Sequence, residues 1–426
     1  MPLRVRDTLS ERVGRVEPPT GGPVRLYVCG PDVYALAHVG HARTYLYFDI
    51  VRRYLREEGR ATRHVMNITD FADKITNRAM ELGISWQLLA RAEETRFLDD
   101  LERLCVLRPH VTPRASSFVG PMIEVVRRLE RMGRVRREGD EWYYVPSPRA
   151  DSRNFPVGRE LADHAVPEPG GAAPVRDVFE RDFMVWKRQE PPAPSWPSPW
   201  GPGMPGWHLE CYTMAERYLG LPVDLHGGGM DLIYPHHYAE NEIALTLENR
   251  LFARRFLHTA FVTLNRNKMA KSTGELVSLR SALRTYGADA LRFYLMSRPY
   301  HTRLEWKDDE VARAAEQVAE IQHATQASAP RGSSGQLPIA PLHALVAGAT
   351  EDIGNDLGID RVMERLLRWA NWLRSKGRPR FAASRREVAA AYGALERLTG
   401  LHLLNGVGQS SPSHPPVTRR PVRRAG

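Results

Sequence analysis

A chain of 426 residues with a net charge of +10 is long enough for two or three domains, and its cationic surplus favours an anionic partner, nucleic acid or nucleotide ahead of membrane. No run of about 18 apolar residues occurs, which excludes a membrane-spanning helix, and Met1 to Arg12 lacks the apolar core of a secretory signal. Three scattered cysteines, Cys29, Cys105 and Cys211, exclude a disulfide framework and point to a cytoplasmic protein with free or metal-bound thiols.

Residues 1–24 form a polar lead-in. Leu26 to Val28 reads as a short strand that ends at Cys29 and a Gly30-Pro31 turn, then passes through His38-Val39-Gly40-His41 into a helix marked by Tyr45, Phe48, Val51, Tyr54 and Leu55. Unpaired backbone N–H groups at such a helix start suit a phosphate chain. Val65, Met66 and Ile68 then form a second strand running to Thr69-Asp70. Strand, helix, strand opens a doubly wound parallel α/β sheet, with ligands expected beyond the strands' carboxyl ends.

From Ile75 to about Val135 the pattern is helical, Glu141 to Val145 reads as a strand or hairpin, and 155–206 is rich in Pro and Gly. Residues 76–206 are therefore expected to be an insertion between the halves 1–75 and 207–307 of a Rossmann-type catalytic domain. The second half opens with a helix from Gly206 to Leu219 and a strand at Val223 to Leu225. That strand empties into a glycine loop, His226-Gly227-Gly228-Gly229 with Asp231, which permits close approach to a ligand. Pro235-His236-His237 then starts another helix, Phe256 to Leu264 is the next strand, and Arg280 to Ser297 is helical.

Only six of the 60 cationic Lys and Arg residues are lysines, yet Lys268 and Lys271 fall together in the polar loop Asn265 to Gly274. A mobile ammonium pair there matches the charge of a pyrophosphate leaving group. Residues 308–407 are nearly all helical in pattern apart from a linker-like stretch at 329–342, and 408–426 is expected to be a flexible basic tail.

Cys29, Cys211, His236 or His237, and Glu240 or Glu242 make a candidate zinc site, in which His236 and Glu240 share one helical face at i and i+4. It requires two cysteines far apart in sequence to meet at the rim of the sheet.

Taken together, Tyr27 to Pro31, His38 to His41, Asn67 to Asp70, Gly206 to Cys211, His226 to Asp231, Pro235 to His237 and Lys268 to Ser272 resemble the cysteinyl-tRNA synthetases, a family of class I aminoacyl-tRNA synthetases, from about Leu3 to about Leu404. The resemblance implies activation of L-cysteine by ATP with Mg2+ and transfer to tRNA(Cys), by a chain expected to act as a monomer. It implies one Zn2+ per chain on Cys29, Cys211, His236 and a glutamate, for which helical spacing favours Glu240. ATP would lie against His38, Gly40, His41, Gly228, Asp231, Lys268, Lys271 and Ser272, with His38, His41, Lys268 and Lys271 serving the reaction. Thr69, Trp207 and His226, with Cys29, match positions of the cysteine pocket, and 308–407 resembles a tRNA-binding helical domain.

The chain departs from the family pattern at Asp32, at Phe71-Ala72 and at Ala270, and the small terminal domain that some members use against the anticodon is expected to be missing. A related mycothiol-type ligase, which joins activated cysteine to an amino sugar, shares the run Ser195 to Gly203. A non-catalytic paralogue that binds metal or RNA is the remaining alternative.

Overall fold

The computed structural model describes residues 1–18, 21–146, 182–265, 267–268, 276–329, 337–377 and 380–404. Its centre is a four-stranded sheet made of β1 (Val24–Val28), β2 (Thr62–Met66), β3 (Leu225–Gly229) and β4 (Phe256–Thr259), with every neighbouring pair parallel and the order β4-β3-β1-β2. The chain leaves β1 towards β2, then returns to place β3 on the other side of β1. The strand order thus reverses between β1 and β3, and the crevice beyond their carboxyl ends is where an open α/β sheet takes its ligands.

Side chains alternate across these strands and sort into two cores. Leu26 and Val28, with Met66, Leu225 and Leu257, pack against the first helix α1 (Val39–Glu57) through Leu46, Phe48 and Ile50. Tyr27 and Cys29, with Val65 and Phe256, face the other way, towards α2 (His208–Leu219) and α3 (Tyr238–Glu248), where Leu209, Tyr212, Tyr238 and Ile243 are buried. This parity directs the Cys29 sulfur to the α2 and α3 face. One residue of register shift would have sent it towards α1.

Three expectations from the sequence are corrected. The His226 to Gly229 run is not a loop after a strand; it is the strand β3, bonded on both sides to β1 and β4. Glycine is needed because neighbouring chain lies so close: a Cβ on Gly227 would sit 1.8 Å from the Leu257 carbonyl oxygen. Phe256 to Leu264 is not one strand. β4 ends at Thr259, the Arg43 guanidinium and the Tyr300 carbonyl hold Ala260 at 3.0 and 2.7 Å, and Val262–Leu264 joins a separate small sheet. Arg280 to Ser297 is split at Gly287 (φ +80°) into the helices Leu279–Tyr286 and Ala288–Leu295.

Between β2 and β3 lie the helices Asp73–Glu81, Trp86–Arg103 and Val119–Arg131 and an antiparallel sheet of Val135–Glu138, Glu141–Tyr144, Phe183–Arg188 and Gly203–Pro205. The helices Asp308–Ser328, Ala340–Gly354, Ile359–Ser375 and Arg385–Thr399 follow the sheet region. They are tied to it through Arg292, whose fully buried guanidinium reaches Asp49 on α1 at 2.7 Å and the Thr399 and Leu104 carbonyls at 2.6 and 3.1 Å. The expected linker at 329–342 is described except for 330–336, while the basic tail and most of the 155–206 run lie outside the described residues. Among the described residues no helix is long and apolar enough to cross a membrane.

Candidate active site and metal centre

The two sulfurs meet. Cys29 Sγ, at the end of β1, lies 3.6 Å from Cys211 Sγ on the buried face of α2. The irregular turn Ile233–His237 and the first turn of α3 bring in His236 and Glu240. His236 Nε2 is 3.4 Å from Cys211 Sγ and 3.0 Å from Glu240 Oε1, and Cys29 Sγ is 3.9 Å from the same oxygen.

Two overlapping groups of ligating side chains result. One is Cys29, Cys211, His236 and Glu240, the other Cys29, His226, His237 and Glu240, and within each group the ligand atoms all lie within 4.8 Å of one another. Every member is buried. Glu242, the alternative to Glu240 left open by the sequence, turns away to accept from the Tyr144 hydroxyl at 3.5 Å.

Each imidazole is held by its second nitrogen, as metal-ligating histidines are. His236 Nδ1 lies 3.1 Å from His208 Nδ1, and the ring stacks on Trp207 at 4.0 Å. His226 Nδ1 lies 3.0 Å from the Tyr27 carbonyl and its Nε2 2.8 Å from Glu240 Oε2. His237 Nε2 faces Cys29 Sγ at 3.2 Å, while its Nδ1 lies 2.7 Å from His258 Nε2, and His258 Nδ1 lies 2.9 Å from the Thr8 hydroxyl. His258 and Thr8 come from distant segments and match no spacing, whereas His208 stands at i−3 from Cys211 on α2, a spacing that could have marked it.

The electrostatics favour a cation here. Burial pushes the Cys29 thiol up, reinforced by Cys211 beside it. Burial also opposes ionisation of Cys211, but the hydrogen bond with Cys29 and the His236 imidazole outweigh it and bring that thiol down to about 7. Burial alone would lower the His236 imidazole, yet Glu240 and Cys211 carry it up to about 10; burial likewise opposes a charged Glu240, but the His236, His226 and His237 imidazoles hold its carboxyl well below the usual range. Two thiols, an imidazole and a carboxylate, dry and preassembled, fit a divalent ion of borderline softness.

Asn67, which follows β2, frames the cluster: its Oδ1 accepts from Gly30 N at 2.8 Å and lies 3.5 Å from Cys211 Sγ, and its Nδ2 reaches Thr69 Oγ1 at 3.3 Å. The Thr69 hydroxyl donates to Glu210 Oε2 at 2.7 Å, and Tyr45 on α1 donates to the Cys29 carbonyl at 3.3 Å. Trp207 is 37% exposed and forms an open wall over His236.

His38 caps α1. Its Nδ1 accepts from Gly40 N at 3.1 Å, and its own backbone N–H donates to His41 Nδ1 at 3.3 Å. Both rings therefore carry their proton on Nε2 as donors, and they stack at 3.8 Å. His38 also pairs with Ser278, where the chain re-enters the described residues after the lysine loop. Lys268 lies in the two-residue strand Asn267–Lys268, while Lys271 and Ser272 lie outside the described residues. Gly228 lies in β3, and Asp231 follows in a short turn at its carboxyl end. The sulfur cluster and β3 lie side by side, a Cβ on Gly228 falling 3.8 Å from the Cys29 Cβ, and the His38/His41 step opens the helix that follows β1.

Comparisons with known proteins agree with this arrangement. The family described as tRNA synthetases class I (C), catalytic domain, matches residues 15–316. A cysteine–tRNA ligase of Thermococcus onnurineus is 39% identical over 318 residues, 74% of this chain and 66% of the relative, so the chain spans just under two thirds of that protein's length. A cysteine–tRNA ligase of Sodalis glossinidius is 35% identical over 419 residues, covering 96% of this chain and 89% of the relative. Among solved structures, a Mycobacterium tuberculosis methionyl-tRNA synthetase in complex with methionyl-adenylate has the same fold, with a TM-score of 0.63, 18% identity, and coverage of 88% of this chain and 89% of the other. With the sheet, its switch point and the paired sulfurs in place, the chain belongs to the cysteinyl-tRNA synthetase family of class I aminoacyl-tRNA synthetases.

Proposed function

We propose that this chain activates L-cysteine with Mg-ATP to cysteinyl-adenylate, releasing pyrophosphate, and then transfers the cysteinyl group to tRNA(Cys) in the cytoplasm. The observation that carries the reading is the meeting of Cys29, Cys211, His236 and Glu240 at the switch point of the sheet. These four would hold Zn2+, and the bound ion supplies a Lewis acid for which a substrate thiolate is a strong ligand and a serine hydroxyl a poor one. A site that leaves its partner unpaired with the wrong analogue rejects it by about 10⁴-fold or more.

The chain's own residues position the reactants. Trp207, Thr69 and His226 wall the cysteine pocket. The His38 and His41 Nε2–H donors, with the N-terminus of α1 at Gly40, face the phosphates of ATP, and the glycines of β3 with Asp231 give its remaining part a close approach. As the cysteine carboxylate attacks the α-phosphorus, negative charge moves onto the departing pyrophosphate, and the His38/His41 donors and the Lys268/Lys271 loop, with Ser272, stabilise it. No protein nucleophile is required; orientation supplies much of the acceleration. The helices from Asp308 to Thr399 are assigned to tRNA.

Cysteine-dependent exchange of pyrophosphate into ATP tests the first step, and charging of tRNA(Cys) tests the second. Consumption of an amino sugar in place of tRNA would redirect the reading to the related ligase.

A further inference from the structure

We propose that Asp32 recognises the α-ammonium of the amino-acid substrate and, by its charge, turns away thiol acids that lack one. The proposal rests on the reading of the site as a cysteine-activating one and adds to it the group that reads the amine.

Asp32 stands three residues beyond Cys29, and its backbone is clamped to the rim. Thr69 N donates to the Pro31 carbonyl and Val33 N to the Thr69 carbonyl, both at 3.2 Å, so Asp32 lies opposite Thr69. Thr69 in turn bonds Glu210, the neighbour of Cys211. The Thr69 hydroxyl also takes the Asn67 amide at 3.3 Å, and Asn67 Oδ1 lies 3.5 Å from Cys211 Sγ, so a short network leads from the backbone at Asp32 to the paired sulfurs.

The substrate narrows the geometry further. Cysteine carries its sulfur and its nitrogen on adjacent carbons, so a thiol seated at the paired sulfurs must leave its ammonium close by. Besides Glu240, which belongs to the metal group, three carboxylates stand near that space. Glu210 is fully buried beneath the Thr69 hydroxyl, and Asp231 lies past the end of β3. Asp32 is half-buried on the same rim as Thr69, which leaves it the carboxylate best placed for a ligand's amine.

Glu240 Oε1 already lies 3.9 Å from Cys29 Sγ and Glu210 accepts from Thr69 at 2.7 Å, and Asp32 opposite Thr69 adds a further carboxylate at the rim. In such surroundings a zwitterion is matched, whereas 3-mercaptopropionate, which has the same thiol and carboxylate but no ammonium, meets uncompensated like charge.

The test is pyrophosphate exchange on the full zinc-loaded chain, with L-cysteine and with 3-mercaptopropionate, for wild type, Asp32→Asn and the charge-keeping Asp32→Glu. Zinc content is measured on each. Asp32→Asn is expected to raise the KM for cysteine about ten-fold with a smaller change in kcat and unaltered zinc, and to narrow the preference for cysteine over 3-mercaptopropionate about ten-fold. Asp32→Glu is expected to keep more of that preference than Asp32→Asn.

A KM and a preference both within two-fold of wild type in Asp32→Asn would overturn the assignment of Asp32 alone. So would loss of zinc in step with activity, which would make the side chain a support of the fold. Absence of cysteine-dependent exchange in the wild type would overturn the cysteine reading and this proposal together.

Discussion

The sulfurs of Cys29 and Cys211 lie 3.6 Å apart although 182 positions separate them in the chain. The alternation of β1 and the buried face of α2 bring them together, and the selectivity proposed for the site depends on both. Cys211→Ser is expected to lose bound zinc and the discrimination of cysteine from serine together, as read by metal analysis and by pyrophosphate exchange with each amino acid. A variant that retained both would remove Cys211 from the metal centre.

The close contact of β3 with β4 predicts a stability effect. In Gly227→Ala the new methyl would meet a backbone carbonyl rather than a flexible side chain. We expect a loss of about 1–3 kcal/mol or more, measured by denaturant unfolding. Gly228→Ala is expected to cost less, because there the nearest atom is the end of the Leu232 side chain at 2.6 Å.

Arg292 and Asp49 form a buried ion pair with neither side chain exposed. Arg292→Met would strip charge from a site where Asp49 keeps Arg53 and the Leu107 N–H, and would deprive the Thr399 and Leu104 carbonyls of the Arg292 donors. The expected cost is about 3 kcal/mol in denaturant unfolding. An unchanged midpoint would show that the helical region is held to the sheet by other contacts.

His402 carries a pH signature. Its hydrogen bond with Asp289, aided by Cys105, raises the imidazole to about 10. A raised imidazole stabilises the folded state fully below its unfolded value, near 6.5, and that contribution fades as the pH climbs through the folded value. The stability gap between wild type and Asp289→Asn should therefore be widest at pH 6 and narrow steadily towards pH 10. A gap that grew with pH would contradict the pairing.

Lys271→Ala is expected to slow adenylate formation more than it weakens cysteine binding, as separated by single-turnover kinetics. An unchanged rate would count against the lysine loop as the stabiliser of the leaving pyrophosphate.

Much of this architecture was legible in the sequence because it is written in local pattern. The apolar run ending at Cys29, the periodicity after His41 and the i, i+4 spacing of His236 and Glu240 each report on one element. The misreadings have physical causes. In the sequence, three glycines signal a loop, since nothing local reveals that β3 is paired on both edges and needs bare backbone to fit. Arg43 turns the chain at Ala260 from a distant helix, and the relay from His237 to His258 and from His258 to Thr8 joins three segments that share no periodicity. Information of that kind exists only after folding.

Gly227 and Gly228 are bare backbone buried between two neighbouring strands, so this part of the sheet has no side chain to exchange without displacing a neighbour. On the reading proposed above, a change in what the site accepts must then fall to the side chains around the strand, Asp32, Thr69 and Trp207, while the strand itself stays the same.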